Sequence, residues 1–328
     1  MSALLIGKTL VDHFPPPEFL TLSTAGISIT DDSIKFAQLR KGLGGGELKL
    51  EHRSRSKSAN TSDEPGVIND VASLTSALKE VSSHQGIHFI RATLPEEKAY
   101  IFTTSIDKAP ADTLYDAVAF IVEENVPIAL SEAVFHFEVL GEEKDGTKIK
   151  IAVTVLPKSV VDAYIDVFES AGLTPISFDT ESQAIARAVV PKGDKRPYLI
   201  VNLSQKKTGF YIVDDEVVQF TTTPSYGIGE NGSEENLENL KAEMRKVVAF
   251  WGARLSGEHP EENKIAKILV TGAGASKKDF VNKMMSEVGI EYEIANIGVN
   301  APKMDEKSLD SVDVSLGYAP AIGLILAS

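Results

Sequence analysis

Apolar and polar residues alternate through Gly26–Leu39 (GISITDDSIKFAQL) on both sides of a short polar run, Thr30 to Ser33. Successive strand side chains point to opposite faces, so period-two alternation around a polar turn predicts a β-hairpin. A third strand is expected around Glu47–His52, and Val71, Leu74, Leu78 and Val81 then recur at helical spacing. His88–Pro95 (HFIRATLP) reads as a further strand. The opening unit is therefore three antiparallel strands, a helix and a strand. From Lys98 to Leu173 the pattern is strand, helix, hairpin, helix. Leu114, Val118, Ile121 and Val122 share one helix face, and Val161, Tyr164, Ile165 and Phe168 share another. The hairpin between them turns at Lys144-Asp145-Gly146, and Gly172 is placed as a C-cap. A strand, TPISFD, and a helix, Glu181–Val190, lead into the polar linker KGDKRP at 192–197.

After that linker the opening theme returns. Tyr198–Val213 (YLIVNLSQKKTGFYIV) is again strand, polar turn, strand; VVQFTTTP is a third strand, and a long helix runs from about Glu234 to Leu255. Lys267–Thr271 is a strand that meets a glycine turn, Gly272-Ala273-Gly274-Ala275, before another helix and the strand YEIA. The recurrence lies about 175 residues along the chain. Each unit has a sheet face needing cover, so the pattern predicts an α/β protein with two related lobes around a cleft. SLGYAPAIGLILAS, at the C-terminal end, is apolar enough to be a buried helix returning to the first lobe.

Composition narrows the chemistry. The 33 basic and 47 acidic residues leave a net charge of −14, a field that repels nucleic-acid backbones and anionic lipid surfaces. The short basic stretch Arg53–Lys57 has no interleaved aromatics and reads as solvated. There is no cysteine, which excludes disulfides, thiolate metal sites and a cysteine nucleophile; the 6 histidines are scattered without ligand spacing. No apolar run approaches the roughly 18 residues of a spanning helix. The leader 1–21 has no basic n-region. Its Leu4, Leu5, Leu10, Val11 and Phe14 are expected on one face of a short helix, ahead of the Pro-rich Phe14–Phe19.

A pair of hairpins facing a cleft is a geometry that binds nucleoside triphosphates, with turn N–H groups aimed at phosphates and a neighbouring carboxylate holding hydrated Mg²⁺. The first turn offers Thr30, Asp31, Asp32 and Ser33, followed by Lys35. Its hydroxyls and lysine suit phosphate, but adjacent carboxylates repel it, and a polar turn bonding its own backbone stays an equal reading. In the second, Asn202 stands where a carboxylate is wanted and Ser204 where a glycine would allow close approach; Thr208 begins the return strand. Lys206 and Lys207 there read as solvated turn lysines. Gly272 and Gly274 form the third element. Asp179, Glu181, Glu123 and Glu124 lie near element ends and read as capping or solvated. No nucleophile elbow is present, and Gly42–Gly46 lacks a P-loop lysine, so neither catalytic residue nor metal site is assigned.

Several phrases together resemble the type IV pilus assembly protein PilM family, relatives of the division protein FtsA and of actin. They are FPPPEFL (14–20), GISITDDSIKFAQL, LPEEKAYIF (94–102), ESQAIARA (181–188), KKTGFYIV (206–213), EMRKVVAFW (243–251), KILVTGAGA (267–275) and SLGYAPAIGLIL. The resemblance implies an actin-like, duplicated ribonuclease-H-like fold. It divides the chain into a leader (1–21), a first lobe (22–97, 173–197 and 312–328), an FtsA-type inserted subdomain (98–172) and a second lobe (198–311). It implies a cytoplasmic place at the inner face of the membrane, reached only through partners: a PilN-like cytoplasmic peptide, other pilus assembly proteins and further copies of the chain. LPEEKAYIF is then an exposed-edge candidate for adding the peptide as a strand. Family members tend to carry Asp where Ser28 stands, Asp-Ile-Gly where Asn202-Leu203-Ser204 stands, and a longer acidic, lysine-bearing segment where Gly229–Lys241 reads as shortened. Those departures make ATP·Mg²⁺ a weak ligand or none, in a vestigial site. The expected role is a non-enzymatic scaffold. An ATP-binding switch or slow ATPase of the same family stays open, as does a phosphotransferase of the same fold, which would need a carboxylate in the cleft.

Overall fold

The computed structural model describes residues 24–30, 33–42, 45–54, 66–68, 70–110, 113–143, 146–229, 232–253, 264–301 and 316–327. The leader 1–21, Asp31 and Asp32, residues 55–57 of the basic stretch, Leu43 and Gly44, and the turn residues Lys144 and Asp145 lie outside the described residues. In chain order come β1 (Thr24–Ile29), β2 (Ser33–Gly42), β3 (Gly45–Ser54), α1 (Val71–Gln85) and β4 (Phe89–Leu94). Next are β5 (Tyr100–Asp107), α2 (Leu114–Asn125), β6 (Ala133–Glu142), β7 (Lys148–Pro157), α3 (Lys158–Ser170), β8 (Thr174–Thr180) and α4 (Glu181–Val189). The rest comprises β9 (Tyr198–Leu203), β10 (Thr208–Asp214), β11 (Val217–Thr222), α5 (Glu234–Ala253), β12 (Lys267–Thr271), α6 (Lys278–Met285), β13 (Tyr292–Ile294) and α7 (Ala319–Ile325).

Two sheets share one topology. The first runs β3-β2-β1-β4-β8 and the second β11-β10-β9-β12-β13. In each, a hairpin supplies an antiparallel pair and a later strand adds parallel to the hairpin's first strand. Register makes the copies equivalent residue by residue: Ser28 pairs with Lys35 in one lobe, and Asn202 with Gly209 in the other. The central strand β9, YLIVNL, is buried along its whole length, as expected of a strand covered on both faces.

β5, β7 and β6 form a separate three-stranded sheet in that order, with its own core of Val118, Val122, Ile151 and Val153 under α2. Helix α3 does not share that core. Sequence placed it in the inserted unit ending at 172, yet Tyr164, Val167 and Phe168 pack with Leu74, Leu78 and Ile90 of the first lobe. An amphipathic pattern reports that a helix face is buried, not which sheet buries it. The insert also touches the second lobe: Ile101 packs on that lobe's core, and Lys150 Nζ donates to Gln219 Oε1 at 3.2 Å. β11 runs alongside β5, whose middle residues are half-buried. From Glu234 the stretch Gly229–Lys241 forms the start of α5, a 20-residue helix, as the sequence pattern predicts. Among the described residues no helix is long and apolar enough to cross a membrane.

The lobes are joined where α4 crosses α7. A Cβ on Gly323 would collide with the carbonyl oxygen of Ala184, so the helix backbones approach as only glycine permits. Arg187 Nη1 ties the crossing together, donating to Gly323 O at 2.9 Å and to Asp179 Oδ2 at 3.0 Å. Helix α4 itself starts at a capping box: Thr180 Oγ1 accepts from Gln183 N and Gln183 Oε1 accepts from Thr180 N. Gly323→Ala is expected to lower the free energy of unfolding by about 1–3 kcal/mol through overpacking, measured by urea denaturation. Gly252→Ala, in open space on α5, is expected to be neutral or stabilising by up to about 1 kcal/mol.

Candidate functional site

The β1–β2 and β9–β10 turns face each other across a cleft of about 250 Å³. Thr30, Ser33 and Lys35 line it from the first lobe, beside Ser28; Asn202 and Ser204 line it from the second, and Gly272 closes one side. Gly272 holds a φ of 85°, and a Cβ there would strike Leu203 O, so this turn can lie against the hairpin only as glycine. Thr208 and Gly274 are not in the lining. Thr208 is fully buried beneath its turn, and Gly274 packs behind it against Leu203 and Ile228.

Both turns are closed by their own hydroxyls in the same way. Thr30 Oγ1 donates to Ser33 O at 3.1 Å and Thr30 N to the same carbonyl at 2.8 Å. Ser204 Oγ donates to Lys207 O at 2.8 Å and accepts from Lys207 N at 3.3 Å. The second turn is also covered from outside, since Ile228 N and Gly229 N donate to Ser204 O and Gln205 O. The reading of the first turn as one that bonds its own backbone fits its described residues, Thr30 and Ser33, and Ser204 does the same in the second. Their hydroxyls are occupied before any ligand arrives.

The strongest charges in the cleft are ones that sequence reasoning passed over. Lys207, read as a solvated turn lysine, crosses to the first lobe and donates from Nζ to Glu97 Oε1 at 2.7 Å and Glu181 Oε2 at 3.4 Å. Glu181, read as capping or solvated, is 8% exposed, and its Oε1 accepts from Asn202 Nδ2 at 3.2 Å. Beneath them Glu96 is buried, accepting from Ser182 N at 3.0 Å and Ser182 Oγ at 2.9 Å. Burial raises the Glu96 carboxyl to about 7, the Ser182 hydrogen bonds opposing the shift. Burial first, then the Glu181 and Glu96 charges, likewise raises the Tyr211 hydroxyl well above its ordinary value, so it stays protonated under the site. A signal for this cluster does exist. Leu94 of β4 pairs with Thr180 of β8 in parallel, so the residues just beyond both strand ends share the carboxyl edge of the sheet, where α/β proteins place their sites. Asp179 instead pairs with Arg187, and Glu123 and Glu124 are exposed on α2.

The resemblance implies ATP with Mg²⁺. Ser28 and Asn202, at the equivalent strand positions facing the cleft, are neutral and poor ligands for a hard cation. Among the described residues, the carboxylates that are near and not fully buried, Glu97 and Glu181, are already engaged, both by the Lys207 ammonium and Glu181 also by the Asn202 amide. This donor set does not fit a hydrated magnesium ion.

Comparison with known proteins places this geometry. Residues 26–241 match the family described as "Type IV pilus assembly protein PilM". Among solved structures, a "PilM-PilN type IV pilus biogenesis complex" superposes with a TM-score of 0.76 at 17% identity, covering 93% of this chain and 98% of that one. The ethanolamine utilization protein EutJ from Carboxydothermus hydrogenoformans is similar at a TM-score of 0.49 and 12% identity, over 94% of this chain and 90% of its own. A Bacteroides thetaiotaomicron protein described as having an actin-like ATPase fold gives a TM-score of 0.44 at 9% identity, over 90% and 94%. No curated protein sequence matches the chain.

The Glu96 carboxyl leads to a pH prediction. Its folded value of about 7 lies above the 4.5 of a free carboxyl, so the folded chain holds a proton that the unfolded chain releases. Its destabilising contribution is absent below about pH 4.5 and grows until the pH passes about 7. Glu96→Gln removes the charge and retains partners for Ser182. The variant is expected to exceed the parent in stability at about pH 8, by on the order of 3 kcal/mol at most, and to lose that advantage near pH 4.5. Urea unfolding of both proteins at the two pH values checks it; a difference independent of pH would refute the titration.

Proposed function

Since this chain belongs to the type IV pilus assembly protein PilM family, we propose that it is a non-enzymatic, cytoplasmic scaffold of pilus assembly that holds the cytoplasmic tail of a PilN-like inner-membrane protein. The observation that carries the non-enzymatic part is the state of the cleft charges. Among the described residues, Glu97 and Glu181 are bonded to Lys207, Glu181 also to Asn202, and the buried Glu96 to Ser182. The phosphotransferase alternative needs a cleft carboxylate; among the described residues Glu181 lines the cleft with Glu97 beside it, and both are engaged by Lys207, which speaks against general-base work. The nucleotide site is vestigial on this reading, and the membrane is met only through the partner.

For the tail, the β6 edge of the insert is the better groove. β5, the edge favoured by sequence, lies beside β11, and adding a strand there would prise the insert off the second lobe. β6 is the other edge of the same sheet, and among the described residues no strand pairs with its outer side. It exposes Val134 and Val139 and sends Glu138 into a cavity of about 390 Å³ shared with Gln183, Arg187, Val190 and Leu326. An extended peptide adding to β6 would gain main-chain hydrogen bonds there and seat a side chain in the cavity.

A nucleotide switch of the same family is the second reading. It is favoured by a cavity of about 590 Å³ between the start of α5 and α6, lined by Ile228, Leu237, Lys277 and Phe280, with room for a base. Calorimetry separates the two. The scaffold reading expects saturable binding of the PilN-like cytoplasmic segment, weakened about tenfold or more by Glu138→Lys, and no submillimolar binding of ATP with Mg²⁺. Submillimolar ATP binding would establish the switch instead.

A further inference from the structure

We propose that Lys207 is the cleft's built-in cation: its ammonium takes the place of a divalent metal between Glu97 and Glu181 and joins the two lobes without one. The inference deepens the vestigial-site reading and rests on it, but it concerns one side chain and is tested separately from partner or nucleotide binding.

The geometry is that of a bridged metal site with a lysine as the ion. Glu97 follows β4 and Glu181 opens α4, both in the first lobe; Lys207 ends the β9–β10 turn of the second. The three side chains are 14%, 10% and 22% exposed, so the pairing takes place largely out of water, where ion pairing is strong and poorly screened by salt. The turn aims the lysine. With Ser204 Oγ bonded to both its N–H and its carbonyl, the Lys207 backbone is fixed. Its ammonium can reach the carboxylates only across the cleft. The equivalent position of the first hairpin is Ser33, whose hydroxyl stays within its own turn, bonded to Thr30 Oγ1 at 2.8 Å. At this equivalent position, therefore, one hairpin sends a charge to the opposite lobe and the other keeps a hydroxyl within its own turn.

The rest of the cluster is arranged around an ammonium. Glu181 divides its oxygens, one to the Asn202 amide and one to Lys207, so the residue standing where a metal-holding carboxylate is expected serves instead as a hydrogen-bond donor. A divalent ion entering between Glu97 and Glu181 would meet the ammonium at contact distance and be repelled. Excluding metal and linking the lobes are the same interaction.

The test uses the full-length chain and Mn²⁺ as the probe, read by electron paramagnetic resonance of free Mn²⁺ and by thermal melting with and without chelator. The parent protein is expected to bind no Mn²⁺ in the cleft and to melt independently of chelator. Lys207→Ala and Lys207→Met are expected to melt lower and to gain a Mn²⁺ site at least about tenfold tighter than anything in the parent. Added Mn²⁺ should recover part of the lost melting temperature. Glu181→Gln in the Lys207→Met background should abolish that site, and Lys207→Arg should exclude Mn²⁺ as the parent does. The proposal is overturned if the parent binds Mn²⁺ as tightly as the lysine variants through Glu181, or if folded Lys207→Met gains no site. Using two replacements of different size guards against one failing to fold. Failure of the PilN-like segment to bind would leave these outcomes unchanged.

Discussion

The close crossing of α4 and α7 at Gly323 and Ala184 is the constraint from which the rest of the molecule follows. Two helices whose backbones touch have little freedom to slide or roll, so the sheets they support are held at one angle. The larger core is continuous through this joint. Ile185, Ala188 and Val189 of α4 and Ala321 and Ile322 of α7 pack in the same cluster as Ile200, Phe210 and Val270 of the second sheet. α7 also lies against β1 and β2 of the first sheet. The two hairpin turns face one another because the helices beneath them cannot separate without opening apolar surface.

Duplication supplied the same backbone twice, and the side chains then diverged in opposite directions. Positions 28 and 202 are equivalent by register and both are neutral, so neither copy offers a carboxylate from its first hairpin strand. Charge is concentrated instead at the carboxyl edge of β4 and β8 and answered from the other lobe by Lys207. Partly buried ion pairs of this kind add little net stability, because desolvation offsets most of the attraction. Removing one partner is costly all the same, since it strands a charge. Such a cluster specifies one relative position of the lobes far more effectively than it stabilises the fold. The buried Glu96, which its raised carboxyl of about 7 leaves only part-ionised near neutral pH, belongs to the same arrangement: a full negative charge beneath Glu181 would add to the repulsion there.

Most of the architecture was legible in the sequence because its signals are local. Alternation around Thr30–Ser33 and around Ser204–Lys207 gave both hairpins, and their similarity gave the duplication. Glycine at 272 after an apolar strand marked a tight turn, which the positive φ explains. What was missed depended on pairing between distant segments. Glu97 and Glu181 meet only because β4 and β8 are parallel neighbours, and the whole insert separates them in the chain. Lys207 looked solvated because turn lysines are, and its partners stand on another lobe. Helix α3 falls within the inserted segment in sequence but packs on the first lobe's core, which amphipathicity alone does not reveal. Gly323, inside an apolar segment, carried no mark of the helix it would meet.

A scaffold and an enzyme of this fold need different things from the cleft. An enzyme must open to exchange ligand, so its lobe contacts have to be weak enough to break in each cycle. A scaffold instead has to keep its binding edge in one place. The insert bearing β6 is attached to the first lobe by the chain and to the second by Ile101 and Lys150, so any hinge between the lobes would shear it. On the proposed reading, bridging the lobes with a lysine that cannot diffuse away keeps the insert in register with both of them whatever the supply of nucleotide or metal. On that same reading, the neutral side chains at Ser28 and Asn202 and the reach of Lys207 are one adaptation. The first removes what a ligand would need, and the second supplies the cohesion that a bound ligand would have given.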